Sequence, residues 1–177
     1  LTQDKKYIDT ALTHIRAWFI DPETKMNPSL LYAQAIKGIT TGRGIGIIDT
    51  IHLIEVVQSL LQMEKHGLLS EEDMEGTKRW FSEYVTWLTT HPYGIDEREA
   101  ENNHGTCWVM QVAMFAKYTG DKNILQLCAD RYRNILLPGQ IAVDGSFPRE
   151  LQRTKPYGYS LFNLDAMAAI CRILSTE

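Results

Sequence analysis

The sequence predicts an all-α fold of antiparallel helical hairpins. Apolar residues recur at three- and four-residue steps along most of its 177 positions. No stretch alternates apolar and polar residues between turn signals, as a half-buried strand would. Several helical runs are joined by short connections, which favours antiparallel neighbours.

The first run covers 3–20, where Ile8, Ala11, Leu12, Ile15, Trp18 and Phe19 share one face. Asp21-Pro22 stops it, because the residue before a proline disfavours helix. A second run, 48–65, carries Ile51, Ile54 and Leu61 and closes at His66-Gly67, a glycine C-cap. The Ser70 to Asp73 stretch then reads as a capping-box variant. It opens a third helix through Met74, Thr77, Phe81, Tyr84 and Leu88, with Trp80 and Trp87 widening the stripe. The fourth run, 105–118, ends at Thr119-Gly120, and Asp121 caps a fifth that continues to Leu136. The sixth covers 159–174. Met110, Met114, Trp80 and Trp87 read as core. Three segments interrupt the pattern: 21–47, 90–104 and 138–158. They are long for plain connectors, and loops of that kind concentrate function.

Hydrophobic residues at 44% and charged residues at 23% fit one packed domain over residues 1–177. Eighteen Lys and Arg against 22 Asp and Glu give a net charge of -4, which argues against a duplex nucleic-acid binder. A few convergent cations can still make a local site for an acidic ligand. No apolar run reaches the roughly 18 residues of a membrane-crossing helix, so no membrane partner is expected. The first residues do not form a signal segment, and the start at Leu1 rather than Met leads us to expect an upstream segment. Cys107, Cys128 and Cys171 are an odd, unclustered set, which suits buried thiols better than a disulfide framework.

Two clusters could carry chemistry. Asn102-Asn103-His104-Gly105-Thr106 stands at the mouth of the fourth helix, where two amides, an imidazole and free backbone N–H groups can face an anion. A plain N-cap with a solvent-facing histidine would read the same way. Glu150 to Tyr159 joins a bidentate anion donor, Arg153, to Tyr157 and Tyr159 on a loop shaped by Pro156 and Gly158. The alternative there is a surface loop with packed tyrosines. Thr41-Gly42-Arg43-Gly44-Ile45-Gly46 superficially resembles a phosphate loop, but no strand precedes it and no Gly-Lys-Ser/Thr follows. It reads as a loop lining a cleft, with Arg43 a candidate donor to an anionic ligand, and Gln34 and Tyr32 candidates for hydrogen bonding or stacking on a ligand. His52 and Glu55 lie three apart without a His-Glu-x-x-His pattern, so a hydrogen bond is expected there rather than a metal. Neither a metal nor any other cofactor is expected. The acidic run from Asp96 to Glu101 is expected to be a solvated face pointing away from the cleft.

These motifs together resemble the alginate lyase superfamily. The resemblance rests on Asn102-Asn103-His104-Gly105-Thr106, on Asp144-Gly145-Ser146 with Pro148, Glu150-Leu151 and Arg153-Thr154, and on Tyr159-Ser160-Leu161-Phe162-Asn163-Leu164. Upstream, Met26-Asn27-Pro28, Tyr32-Ala33-Gln34-Ala35-Ile36 and the stretch from Thr41 to Asp49 resemble the same family. The motifs keep their order from Trp18 to Leu174.

The resemblance implies an (α/α) toroid, of which this chain would be an incomplete, internal part, since members are usually nearly twice as long. Helix faces deprived of neighbours would then be apolar and exposed, so self-association, or pairing with the missing part of the chain, is expected. The implied function is a polysaccharide lyase that cleaves alginate or a related acidic polysaccharide by β-elimination, usually bacterial and periplasmic or secreted. Asn103, His104 and Arg153 would neutralise the uronate carboxylate, so that the adjacent C5 proton can leave and the enolate-like dianion is stabilised. Tyr159 aligns with the family's tyrosine acid/base, and a neighbouring guanidinium favours a phenolate. Mannuronate presents proton and leaving group on one face, where one tyrosine could serve both; guluronate presents them on opposite faces, where His104 is the more natural base. Tyr157 is the rival for Tyr159's role. Gln34, Arg43, Asn102 and Tyr157 are the expected substrate-binding residues. Two other functions fit a helical toroid: a non-catalytic carbohydrate-binding module, and a glycoside hydrolase. The hydrolase would need two carboxylates across the cleft, and Glu150 is the only acid inside the two clusters, 102–106 and 150–159.

Overall fold

A computed structural model describes residues 4–175. Every regular element among them is helical, apart from an isolated bridge between Ile36 and Thr40. Helix α1, Lys5–Ile15, begins where the Asp4 carboxylate accepts from the Lys6 N–H. The expected start at residue 3 lies outside the described residues. The helix runs on through a wide π turn, Arg16–Ile20, closed by a 2.8 Å bond from Asp21 N–H to the Arg16 carbonyl. An irregular stretch then leads to a 3-10 turn, Gly44–Thr50, and to α2, Leu53–Lys65. The run read as one helix from residue 48 is therefore broken near Ile51 and His52.

Gly67 ends α2 at φ +65°, with Leu68 N–H donating to the Met63 carbonyl at 2.9 Å. Helix α3, Glu71–Thr90, opens with the expected capping box: the Ser70 hydroxyl accepts from Asp73 N–H while the Asp73 side chain accepts from Ser70 N–H. Asp73 also takes two bonds from Arg16, at 2.7 and 2.8 Å, which join the start of α3 to the end of α1. Helix α4, Pro92–Arg98, follows at once, inside a segment the sequence left without helix. Helix α5, Asn103–Thr119, starts at the Asn102 cap and stops at Gly120, φ +78°. Helix α6, Lys122–Arg131, is capped by Asp121 as expected and continues through a second π turn, Tyr132–Leu136, into the short α7, Leu137–Gln140. Another short helix, α8, Pro148–Leu151, precedes α9, Pro156–Leu174.

Helix α5 is the axis of the core. From Asn103 to Ala116 each residue is buried except the half-buried His104. It packs against α2, α3, α4, α6 and α9, and a helix enclosed on all sides must be apolar all round. Met110, Met114 and Trp80 are core, as read, whereas Trp87 is half-buried. Phe19, Trp80, Phe81, Phe115 and Tyr118 make an aromatic cluster with ring centroids 4.9–5.8 Å apart, joining the first π turn, α3 and α5. Cys107 and Cys128 are buried, and burial pushes both thiols up to about 12. Cys171 departs from expectation. It is exposed, with its sulfur 3.2 Å from the Tyr132 hydroxyl.

Buried amide side chains on α5 and α7 tie the irregular segments to the N-terminal half of α5. Gln111 accepts from the Thr50 hydroxyl at 2.7 Å and donates to the Ile47 carbonyl at 3.3 Å. The Gln140 side chain accepts from Thr106 at 3.0 Å and from Asn163 of α9 at 2.9 Å, and donates to the Asn102 carbonyl at 3.0 Å. A buried amide with its hydrogen bonds made fixes geometry as well as contributing energy.

Candidate active site

The N-terminus of α5 opens into a cavity of about 620 Å³ whose walls include Gln34, Ile45, Asp49, His52, Asn103, His104, Arg153, Lys155, Tyr159 and Phe162. The three long segments thus converge on one rim, because the bonds from Gln111, Gln140 and Asn103 draw them there. Close approach at this helix end also depends on Gly105. A Cβ there would stand 2.2 Å from the Ala100 carbonyl oxygen.

Asn103 is held by a single carboxylate. Its backbone N–H donates to Glu150 Oε1 at 2.7 Å and its Nδ2 to Oε2 at 2.8 Å. Both residues are 1% exposed. An acceptor-only carboxylate decides which way the amide faces, and it leaves the second N–H of Nδ2 for a ligand. The positive end of the α5 dipole offsets part of the cost of burying Glu150.

His104 is gripped from the other side. Its Nδ1 lies 2.6 Å from Glu97 Oε1, and the Glu97 side chain is 2% exposed. This corrects the reading of the 96–101 run as a uniformly solvated face pointing away from the cleft. Glu97 shares the buried side of α4 with Gly94, while Asp96, Glu99 and Glu101 are exposed. Helix α4 turns Glu97 toward the core and its neighbour Asp96 toward solvent. A run of like charges conceals which one turns inward, and only the position of Glu97 opposite His104 reveals it.

The Arg153 guanidinium lies over the ring of Tyr159, 4.1 Å from Cζ to the ring centroid. That is cation–π geometry, which orients the two side chains together. No carboxylate pairs with Arg153 among the described residues, so its donors are available to an acidic ligand. Lys155, for which the sequence carries no specific signal, adds a second cation to the rim.

The four expected substrate-binding residues fare differently. Gln34 lines the cavity, at φ +49°, with its amide donating to Asp49 at 2.9 Å. Arg43 is occupied inside the protein: Nε donates to the Gln34 carbonyl and Nη2 to its Oε1, each at 3.0 Å. It positions Gln34 rather than standing free for a carboxylate. Asn102 is a cap, its side chain accepting from His104 N–H at 3.1 Å. Tyr157 is 77% exposed and absent from the cavity wall, two residues from Tyr159, which is in it. Tyr32, 74% exposed, is likewise outside. The glycines of the 41–46 loop serve close packing, since a Cβ on Gly42 would overlap the Leu31 carbonyl. His52 and Glu55 are exposed and 3.4 Å apart, and no metal-ligating cluster occurs among the described residues.

The chain is similar to known proteins over its whole length. The alginate lyase family model matches residues 1–177. Among solved structures, the crystal structure of an alginate lyase from Bacteroides ovatus superposes with a TM-score of 0.91 at 36% identity, covering 97% of this chain and 46% of that one. This chain therefore spans just under half the length of that protein, and its helical hairpins form part of an (α/α) toroid. No curated protein matches. A family model satisfied from end to end, with the ordered motifs gathered at one cavity, places the chain: it belongs to the alginate lyase family.

Proposed function

We propose that the cavity is the active site of a polysaccharide lyase that cleaves alginate or a related polyuronate by β-elimination. One observation carries this reading: an amide, an imidazole, an unpaired guanidinium and a phenol line the same cavity, in Asn103, His104, Arg153 and Tyr159. The second N–H of Asn103 and the free face of Arg153 suit the uronate carboxylate, whose negative charge otherwise holds the C5 proton in place. With that charge neutralised, a base takes the C5 proton, the C4–C5 double bond forms, and the departing O4 takes a proton. Tyr159 is the acid/base, serving both ends where they share a face. His104 completes the set, as a third carboxylate donor or as the base for the opposite face.

Hydrolysis fits less well. Glu97 and Glu150 are buried and committed to His104 and Asn103, and the carboxylate on the wall is Asp49, already bonded to Gln34. A hydrolase needs two carboxylates facing the scissile bond. The test is incubation of the protein at its full natural length with alginate while following the ultraviolet absorbance of the unsaturated uronate. Absorbance rising with new chain ends supports elimination; new ends without it would refute the proposal.

A further inference from the structure

We infer that Glu97 is a positioning residue that fixes the tautomer of His104, so that this imidazole meets the ligand as a proton acceptor and not as a carboxylate donor. The inference deepens the elimination reading and rests on it for its kinetic consequence, though not for its structural one. Glu97 Oε1 stands 2.6 Å from Nδ1, and its side chain is 2% exposed. An ionised carboxylate can only accept. The proton shared across that contact therefore belongs to Nδ1, and the neutral ring carries its lone pair on Nε2. The Nδ1 edge is turned into the protein, so Nε2 is the ring nitrogen left for the cavity that His104 lines. A lone pair facing an anion repels it. Carboxylate neutralisation then falls to Asn103 and Arg153, and His104 stands ready to take a proton.

Glu97 and Glu150 act as a matched pair. One comes from α4 and the other from α8, and each fixes the orientation of one of two adjacent residues at the start of α5. The same logic operates where a buried carboxylate holds a catalytic histidine in one tautomer, and an amide in its place costs rate while leaving geometry intact. An amide can donate or accept, so it removes the bias without removing the contact.

The test uses the protein at its full natural length, labelled with 15N-histidine, together with Glu97→Gln and Glu97→Asp. Two-bond 15N–1H correlation spectra at alkaline pH, with His104→Gln to assign the signal, report which ring nitrogen carries the proton. The expected result is a single Nδ1–H tautomer in the unaltered protein and in Glu97→Asp, and loss of that preference in Glu97→Gln. With alginate, Glu97→Gln should lower kcat by about a hundredfold or more at nearly unchanged KM, and Glu97→Asp should retain more activity than Glu97→Gln. A proton on Nε2 in the unaltered protein would overturn the inference, as would Glu97→Gln with the parental tautomer and kcat. Since the spectra need no substrate, absence of lyase activity would refute the elimination reading alone.

Discussion

Tyr159 and Tyr157 stand two residues apart and meet different surroundings. Tyr159 is half-buried on the cavity wall beneath the Arg153 guanidinium, whereas Tyr157 is 77% exposed outside it. Small misplacements of a reacting group cost orders of magnitude in rate, so under the proposed elimination the constrained ring is the one expected to carry the proton. Tyr159→Phe is expected to lower kcat by about a thousandfold with polymer binding kept, and Tyr157→Phe to stay near the parental rate. Steady-state kinetics with a binding isotherm would check both; a dead Tyr157→Phe beside an active Tyr159→Phe would move the acid/base role by two residues. The thiols give a second prediction at this scale. One equivalent of a thiol reagent should label Cys171 alone in the folded protein, because Cys107 and Cys128 are buried and hard to ionise; peptide mapping would show it. Much of the candidate site was legible from the ordered motifs that resemble the family: Asn103, His104, Arg153 and Tyr159 all line the cavity. What stayed illegible was which groups hold them. Glu97 reads as one solvated charge among several, and Arg43 as a free cation, until the fold sets one against His104 and the other against Gln34.

Elements were legible where local chemistry decides them. The Ser70 capping box, the Gly67 and Gly120 stops and the Asp121 cap depend on neighbours in sequence and stand as read. Helices α4, α7 and α8 were missed, because elements of four to seven residues have too few positions for periodicity and are stabilised by what they pack against. Two predictions belong at this scale. Gly105→Ala would drive a methyl group against the Ala100 carbonyl, displacing the helix end that carries Asn103 and His104. It should cost about 1–3 kcal/mol of stability, with a loss of kcat, both measurable by thermal melts and kinetics on one preparation. The second concerns acid. Hydrogen bonds from Arg16 hold the Asp73 carboxyl down at about 2, against an ordinary 3.8, and those from Ser70 assist. The unfolded chain therefore binds the proton more readily, and stability from this group is fully present above the ordinary value. It is lost as pH falls toward about 2. Asp73→Asn should melt lower at neutral pH and show a shallower loss of stability across that acid window; an unchanged acid profile would contradict the pairing.

At the scale of the whole molecule, one enclosed helix organises everything else. Helix α5 is buried along nearly its whole length, and its N-terminus gathers Asn103, His104, Glu97, Glu150 and, through Gln140 and Asn163, the helix bearing Tyr159. Apolar surface elsewhere remains open. Trp18 is 54% exposed beside a groove of about 640 Å³ walled by Ile15, Phe19, Leu53, Val56 and Met63. The 177-residue chain on its own is therefore expected to self-associate, and Trp18→Ser to weaken the association; a sedimentation series over concentration would reveal a monomer if this is wrong. The central claim is that this helix end assembles an elimination site. Mass spectrometry of the fragments released from a defined oligouronate by the protein at its full natural length tests it most directly. Elimination predicts product masses that sum to the mass of the substrate, with Tyr159→Phe releasing almost none. Products that together gain one water would show hydrolysis and contradict the account.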